Sequence, residues 1–160
     1  MECLNEQPIQ NAVRLWVKDQ NNRWLFLSGA DSLDRGRPSW LYTLGGRLEP
    51  GEDHLAALSR ELREEVGWCV PLGHQVMPIW WRLAYRDFRI NPYYVAEKHF
   101  YVDYEKLVND PNFHLTTPSE LVEINWLSEM DLREFAGRGR EVFPTSWQQI
   151  LQHIAKITTR

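Results

Sequence analysis

Apolar and polar residues alternate through residues 11–19, NAVRLWVKD, and predict a half-buried strand, because successive side chains of an extended chain point to opposite faces. Residues 23–28 repeat the pattern after the turn-rich DQNN, so the two strands are expected to form a hairpin. Residues 29–39, GADSLDRGRPS, are rich in Gly, Pro and Asp and predict an exposed loop, after which residues 40–44 return as a strand. Two longer β-type runs, residues 74–90 and 93–104, are rich in Trp, Tyr, Phe and Val and are joined by a turn at Asn91-Pro92. Residues 122–127 make a last strand. The period changes at residues 53–66, where Leu55, Leu58, Leu62 and Val66 fall on one stripe at about 100° per residue. Pro50 and Gly51 break the preceding run, Asp53 is a suitable N-cap and Gly67 supplies the stop, so this segment reads as a helix. Residues 128–135 and 146–157 read as two more helices, the latter with Trp147, Ile150, Leu151 and Ile154 at helical spacing. Strands interleaved with a central helix and C-terminal helices predict an α/β fold, a mixed sheet covered on both faces as an α/β/α sandwich, in a single domain over residues 1–160.

The central helix carries more than a core stripe. Glu61, Glu64 and Glu65 stand at i, i+3 and i+4 on an adjacent stripe, and each like-charged pair there costs about 0.2–0.5 kcal/mol, so a cation is expected to join them. Arg60 and Arg63 can supply it, which would make the segment an ion-paired solvated face. The spacing to Gly46 and Glu52 argues for chemistry instead. The carboxylates of Glu52, Glu61, Glu64 and Glu65 suit a hard cation, Mg²⁺ or Mn²⁺, which keeps several waters and binds diphosphate oxygens readily. Gly45 and Gly46 let a backbone carbonyl approach such an ion without a Cβ in the way. An ion so held polarises a phosphoryl oxygen and acidifies a water, and a spare Glu takes the proton. The reaction class that follows is phosphoanhydride hydrolysis.

The residues from Gly46 to Trp68, GRLEPGEDHLAALSRELREEVGW, satisfy the offsets G-x5-E-x7-R-E-U-x-E-E-x-G-U, where U is a bulky apolar residue. Each fixed residue has a background frequency of roughly 5–9%, so a chance match is on the order of 10⁻⁸ per starting position. The segment resembles the Nudix box, complete at every fixed position. That resemblance implies the Nudix fold, a pyrophosphohydrolase activity, metal ligation by Glu61, Glu64, Glu65 and the Gly45 carbonyl, an accessory acidic role for Glu52 and an orienting role for Arg60. Glu61 and Glu64 are the carboxylates expected in catalysis, with Glu97 and Glu120 as outside candidates for the base. Two positions depart from common family usage: Leu44 stands where a Pro often precedes the glycines, and Trp68 fills the usually aliphatic last position. Neither is a ligand, and both bear on loop stiffness and core packing.

Composition changes the picture in two places. The net charge is −4, and no block of Lys or Arg exceeds two residues, so the footprint for a long nucleic acid is missing and a small nucleotide fits better. The N-terminal residues have no apolar h-region and no run approaches the roughly 20 apolar residues of a membrane span, so a cytoplasmic location without membrane attachment is expected, with a homodimer allowed. Cys3 and Cys69 offer no disulfide framework and no metal spacing, and Cys69 reads as a small core residue. The five histidines are scattered without a ligand-like pair.

The 8 Trp and 6 Tyr exceed what a core of this size needs. Trp40, Trp80, Trp81, Tyr85, Tyr93 and Tyr94 lie in segments expected to border a cleft, where a ring could stack a nucleobase. Trp81, Leu83 and Tyr85 share one strand face while Trp80 and Arg82 share the other, so Trp81 and Tyr85 are the expected base contacts. Arg47, with Arg35, Arg37, Arg82, Arg86 and Arg89, is a candidate phosphate contact. Within the Nudix resemblance, Leu83 and Ala84 stand where ADP-ribose hydrolases place a proline, whereas Tyr85 matches the tyrosine of dinucleoside polyphosphate hydrolases. Three classes remain: a Mg²⁺-dependent hydrolase of a nucleoside diphosphate derivative, a silent Nudix-fold binding module, and a diphosphate-ester isomerase.

Overall fold

The computed structural model describes residues 9–86, 93–120 and 122–159. Its strands are β1 (Gln10–Lys18), β2 (Trp24–Gly29), β3 (Trp40–Tyr42), β4 (Leu44–Arg47), β5 (Trp68–Cys69), β6 (Met77–Arg86), β7 (Tyr93–Asp103), β8 (His114–Leu115), β9 (Glu123–Leu127) and β10 (Val142–Phe143). Its helices are α1 (His54–Glu61), α2 (Tyr104–Val108), α3 (Glu129–Gly137) and α4 (Trp147–Thr158). One mixed sheet runs β10-β3-β2-β1-β7-β6, with β4 added to β1 and β9 to β2, while β5 and β8 pair separately.

β1 is the spine of this sheet. It runs parallel to β7 from Gln10 beside Val95 to Lys18 beside Asp103, and its other edge is divided between β4 and β2. Its alternation separates two cores. On one face Val13, Leu15 and Val17, with Leu25, Leu27, Leu44 and Phe100, pack against Leu58, Leu62 and Val66. On the other, Trp16, Phe26, Leu41 and Tyr101 pack against Leu132 of α3 and Trp147, Ile150, Leu151 and Ile154 of α4. The predicted α/β/α arrangement is therefore the one observed. Leu58 and Leu62 are fully enclosed, so truncating either to Ala would cost about 2–5 kcal/mol.

Four readings change. Residues 40–44 are not one strand: the chain breaks at Thr43 because β3 pairs with β2 and β10 while β4 pairs with β1. Gly45 and Gly46 consequently lie inside a strand and not in a loop after one. The first two strands form a hairpin only at its closed end, Lys18 beside Trp24, since β4 takes Ala12 to Leu15. The box helix is α-helical only to Glu61 and continues through Leu62–Val66 as a π turn. Cys69 is partly exposed, with its sulfur 3.7 Å from the Thr116 hydroxyl, and is not a core residue. The Asn91-Pro92 turn, Cys3, Arg89 and the Arg86 side chain lie outside the described residues. No helix among the described residues is long and apolar enough to cross a membrane.

Candidate functional site

The local sequence accounts for the seating of the box carboxylates. The Asp53 side chain accepts the Ala56 N–H at 2.8 Å and starts α1. Gly67, at φ 72°, ends the π turn in the left-handed region that favours glycine. Gly45 has φ 146°, and a Cβ there would strike the Val13 carbonyl; a Cβ on Gly46 would strike the Glu61 carboxylate. The two glycines thus let β4 lie against β1 and leave Glu61 its place. Residues 116–120 close the far side, with Thr116 N–H donating to Gly67 O at 2.7 Å and Glu120 N–H to Glu64 O at 3.1 Å.

Arg60 is the expected cation. Its Nε donates to Glu52 at 2.8 Å, Nη1 to Glu61 at 3.0 Å and Glu64 at 3.2 Å, and Nη2 to the Arg47 carbonyl at 2.9 Å. The hydrogen bond with Glu52 is the largest influence on both partners, raising the Arg60 guanidinium and lowering the Glu52 carboxyl. Arg63 is exposed and is not drawn in.

Glu61 and Glu65 are both buried and hydrogen-bonded to one another. Burial first, then the Glu61 charge, pushes the Glu65 carboxyl up to about 9; burial also raises Glu61, against the opposing pull of Arg60. Burial and mutual repulsion thus both disfavour two full charges side by side here. Glu65 Oε2 is buried without any partner. Among the described residues no three acidic, His or Cys side chains form a metal-ligating group, since Arg60 takes up Glu52, Glu64 and one oxygen of Glu61.

A cleft of about 550 Å³ is lined by residues including Arg14, Arg37, Trp40, Tyr42, Tyr93 and Phe143. It borders the acid pair, because the Tyr42 hydroxyl is pushed up to about 12 by burial first and then by the nearby charges of Glu65 and Glu120. Glu120 is thus the outside carboxylate that reaches this site. Glu97 is enclosed elsewhere, with Arg82 Nε at 2.6 Å and Arg14 Nε at 3.6 Å. Burial would raise its carboxyl, but the His99 hydrogen bond and the Arg14 and Arg82 charges outweigh it and hold Glu97 well below the usual range. The Trp16 indole N–H donates to His99 Nδ1 at 2.9 Å, which leaves the ring proton on Nε2, 3.4 Å from Glu97.

Of the aromatic candidates, Trp40 and Tyr93 line the cleft, and Arg47 lies 5.5 Å over the Tyr93 ring. Trp81, Leu83 and Tyr85 share a face as expected, but that face is an exposed one of the outermost strand β6, and none of them lines this cleft. Trp80 turns the other way and meets His153. Trp68 packs with Tyr104 and Trp126. Sequence reasoning missed Arg14, Tyr42, Trp16 and His99; the available signal was Arg14, one cation inside the otherwise apolar stretch AVRLWV.

This sheet, its flanking helices and the seated box define a class, and a family comparison agrees: a model described as NUDIX domain matches residues 8–145. The chain belongs to the Nudix hydrolase family, whose enzymes are generally pyrophosphohydrolases of nucleoside-diphosphate-linked substrates. No curated protein matches significantly. Among solved structures, a NUDIX hydrolase from Nitrosomonas europaea is 22% identical, with 93% of this chain and 90% of that one covered at a TM-score of 0.59. The E. coli ORF135 protein is 18% identical, covering 99% and 98% at 0.56, and a C. elegans Ap4A hydrolase is 15% identical, covering 94% and 99% at 0.56. At these identities the likeness is one of fold.

Proposed function

We propose that the chain hydrolyses a phosphoanhydride bond in a nucleoside diphosphate linked to a second moiety, with Mg²⁺ or Mn²⁺ as cofactor. The observation that carries this reading is the buried Glu61–Glu65 pair, seated against Gly46, with Glu65 Oε2 left without a partner. A protein that needed only stability would gain by placing an apolar residue there. A hard cation suits this all-oxygen set, and Glu61, Glu64, Glu65 and the Gly45 carbonyl would hold it. When bound, such an ion polarises a phosphoryl oxygen and lowers the pKa of a water.

The chain's own residues supply the rest. Arg60 holds Glu52, Glu61 and Glu64 by hydrogen bonds, so it orients the carboxylates while Glu52 anchors it. Glu64 is half-buried and Glu120 exposed beside it, so either can accept the proton of an attacking water. Glu97, tied to guanidiniums and held ionised, is a poor base. An isomerase would need a cysteine in the cleft; Cys69, the cysteine among the described residues, contacts Thr116 and does not line it.

The test is a panel of dinucleoside polyphosphates, nucleotide sugars and nucleoside triphosphates incubated with Mg²⁺ or with EDTA, with products separated by ion exchange. At least one compound should yield a nucleoside mono- or diphosphate with Mg²⁺ and none with EDTA. Cleavage that persists in EDTA, or no cleavage of any compound, would refute the reading.

A further inference from the structure

Between Ala12 and Val17, β1 carries one charged side chain, Arg14, about one-fifth exposed. Its Nη1 donates to the Thr43 carbonyl at 3.1 Å, its Nε lies 3.6 Å from Glu97, and it lines the cleft. Arg37, the other cation lining it among the described residues, already stacks 4.1 Å over Trp40 and bonds Glu141 at 2.9 Å. Behind Arg14, Glu97 is fixed in its turn by Arg82 at 2.6 Å and by His99, whose ring is oriented by the Trp16 indole. Replacing a buried ionic network by apolar residues is often neutral or stabilising, so a network retained around one cleft cation calls for a use other than stability. The cleft volume, about 550 Å³, is that of a small-molecule site, and Tyr42, Tyr93 and Phe143 give it aromatic walls. The charge of Arg14 reaches Glu65 as well as Glu97, so this cleft cation also lies within electrostatic reach of the box.

We infer that this cleft seats the nucleoside and adjoining phosphate of the substrate, with Arg14 as the phosphate-binding side chain and Glu97 as the positioning residue that aims it. The inference rests on the hydrolase reading above. Arg82, His99 and Trp16 act only through Glu97, by fixing its carboxylate where it meets the Arg14 Nε.

The experiment measures binding of ADP, GDP, CDP and UDP to the full chain in EDTA by titration calorimetry, where no metal-dependent hydrolysis interferes. At least one should bind. Arg14→Lys, which keeps the charge and loses the fork, should weaken that ligand about tenfold or more. Tyr93→Ala should weaken it roughly 5–100-fold by loss of stacking. Glu97→Gln should weaken it several-fold in the wild-type background and not at all in the Arg14→Lys background, a coupling that a merely structural role would not produce. Should Glu97→Gln fail to fold, Trp16→Phe, which removes the N–H given to His99, takes its place with the same expected coupling. The inference is overturned if no nucleoside diphosphate binds, if Arg14→Lys and Tyr93→Ala bind as the wild type does, or if the third variant's loss is undiminished beside Arg14→Lys. Binding without Mg²⁺-dependent hydrolysis would remove the functional reading and leave the cleft; hydrolysis with binding indifferent to Arg14 would do the reverse.

Discussion

Glu65 and Glu97 are both nearly sealed from water, yet their carboxyls move in opposite directions. Desolvation acts on each in the same sense. Around Glu97 the chain supplies Arg14, Arg82 and the His99 N–H, so the charge is paid for locally and stays. Around Glu65 it supplies another carboxylate, and the outcome is a carboxyl raised instead of lowered and an orphaned oxygen. A buried acid furnished with its own cations is complete as it stands. One buried against a second acid has a place for a cation from outside, and that difference separates the candidate metal site from the network behind it.

The comparison breaks most sharply in turnover. Glu65→Gln and Glu64→Gln should each lower kcat by at least about 10²-fold, since lost ligation removes charge stabilisation of the transition state. Steady-state rates with Mg²⁺ check this, and wild-type-like rates in both variants would remove the metal site.

Stability should answer in the opposite order. Glu97→Gln leaves the Arg14 and Arg82 guanidiniums short of a charged partner and should cost about 1.5–3 kcal/mol in urea unfolding at neutral pH. Because the Glu97 carboxyl lies below its ordinary 4.5 in the folded chain, its contribution is complete above that pH and is lost as the pH falls below it. The gap between wild type and variant should therefore be constant from about pH 5.5 upward and narrow under acid conditions. A gap that widened on acidification would reverse the sign assigned to Glu97.

Without metal, Glu65→Gln should be neutral or stabilising by a few tenths of a kcal/mol, because the amide replaces a carboxyl that is already protonated. Adding Mg²⁺ should stabilise the wild type more than this variant. Unfolding in EDTA and in Mg²⁺ measures both, and clear destabilisation in EDTA would make Glu65 a structural ion-pair partner. The smallest effects belong to the β6 face: Trp81→Ala and Tyr85→Ala should shift stability by less than about 0.5 kcal/mol each. Their KM changes should be smaller than that of Tyr93→Ala, and a larger change would return the nucleobase to the exposed face.

What could be read from the chain was what lies within a few residues. Asp53, Gly67 and the Leu58–Leu62–Val66 stripe define the box helix by local spacing, and Arg60 reaches Glu64 across one turn as that spacing requires. The break at Thr43 was not legible, because WLYTL has the same extended pattern whether its two halves share a neighbour or, as here, part to different ones. Trp16 and His99 are 83 residues apart and meet because β1 lies parallel to β7. The alternation of Trp81 and Tyr85 was visible, while the outermost rank of β6 depends on strand order, a property of the whole sheet. A π turn and an α turn have the same caps and the same apolar stripe, so sequence spacing does not separate them.

That π turn sets a rule for how the gene can change. Its i→i+5 bonds accommodate one residue more than an α-helix would between the same ends. Exchanges at exposed Arg63 leave that count intact. Loss of a single codon between Glu61 and Gly67 would return the turn to α-helix between the same ends and reseat the residues inside it, Glu64 and Glu65 among them. Glu61 would then keep its seat against Gly46 while Glu64 or Glu65 lost its place beside it, so the box is constrained in its length as well as in the residues it names.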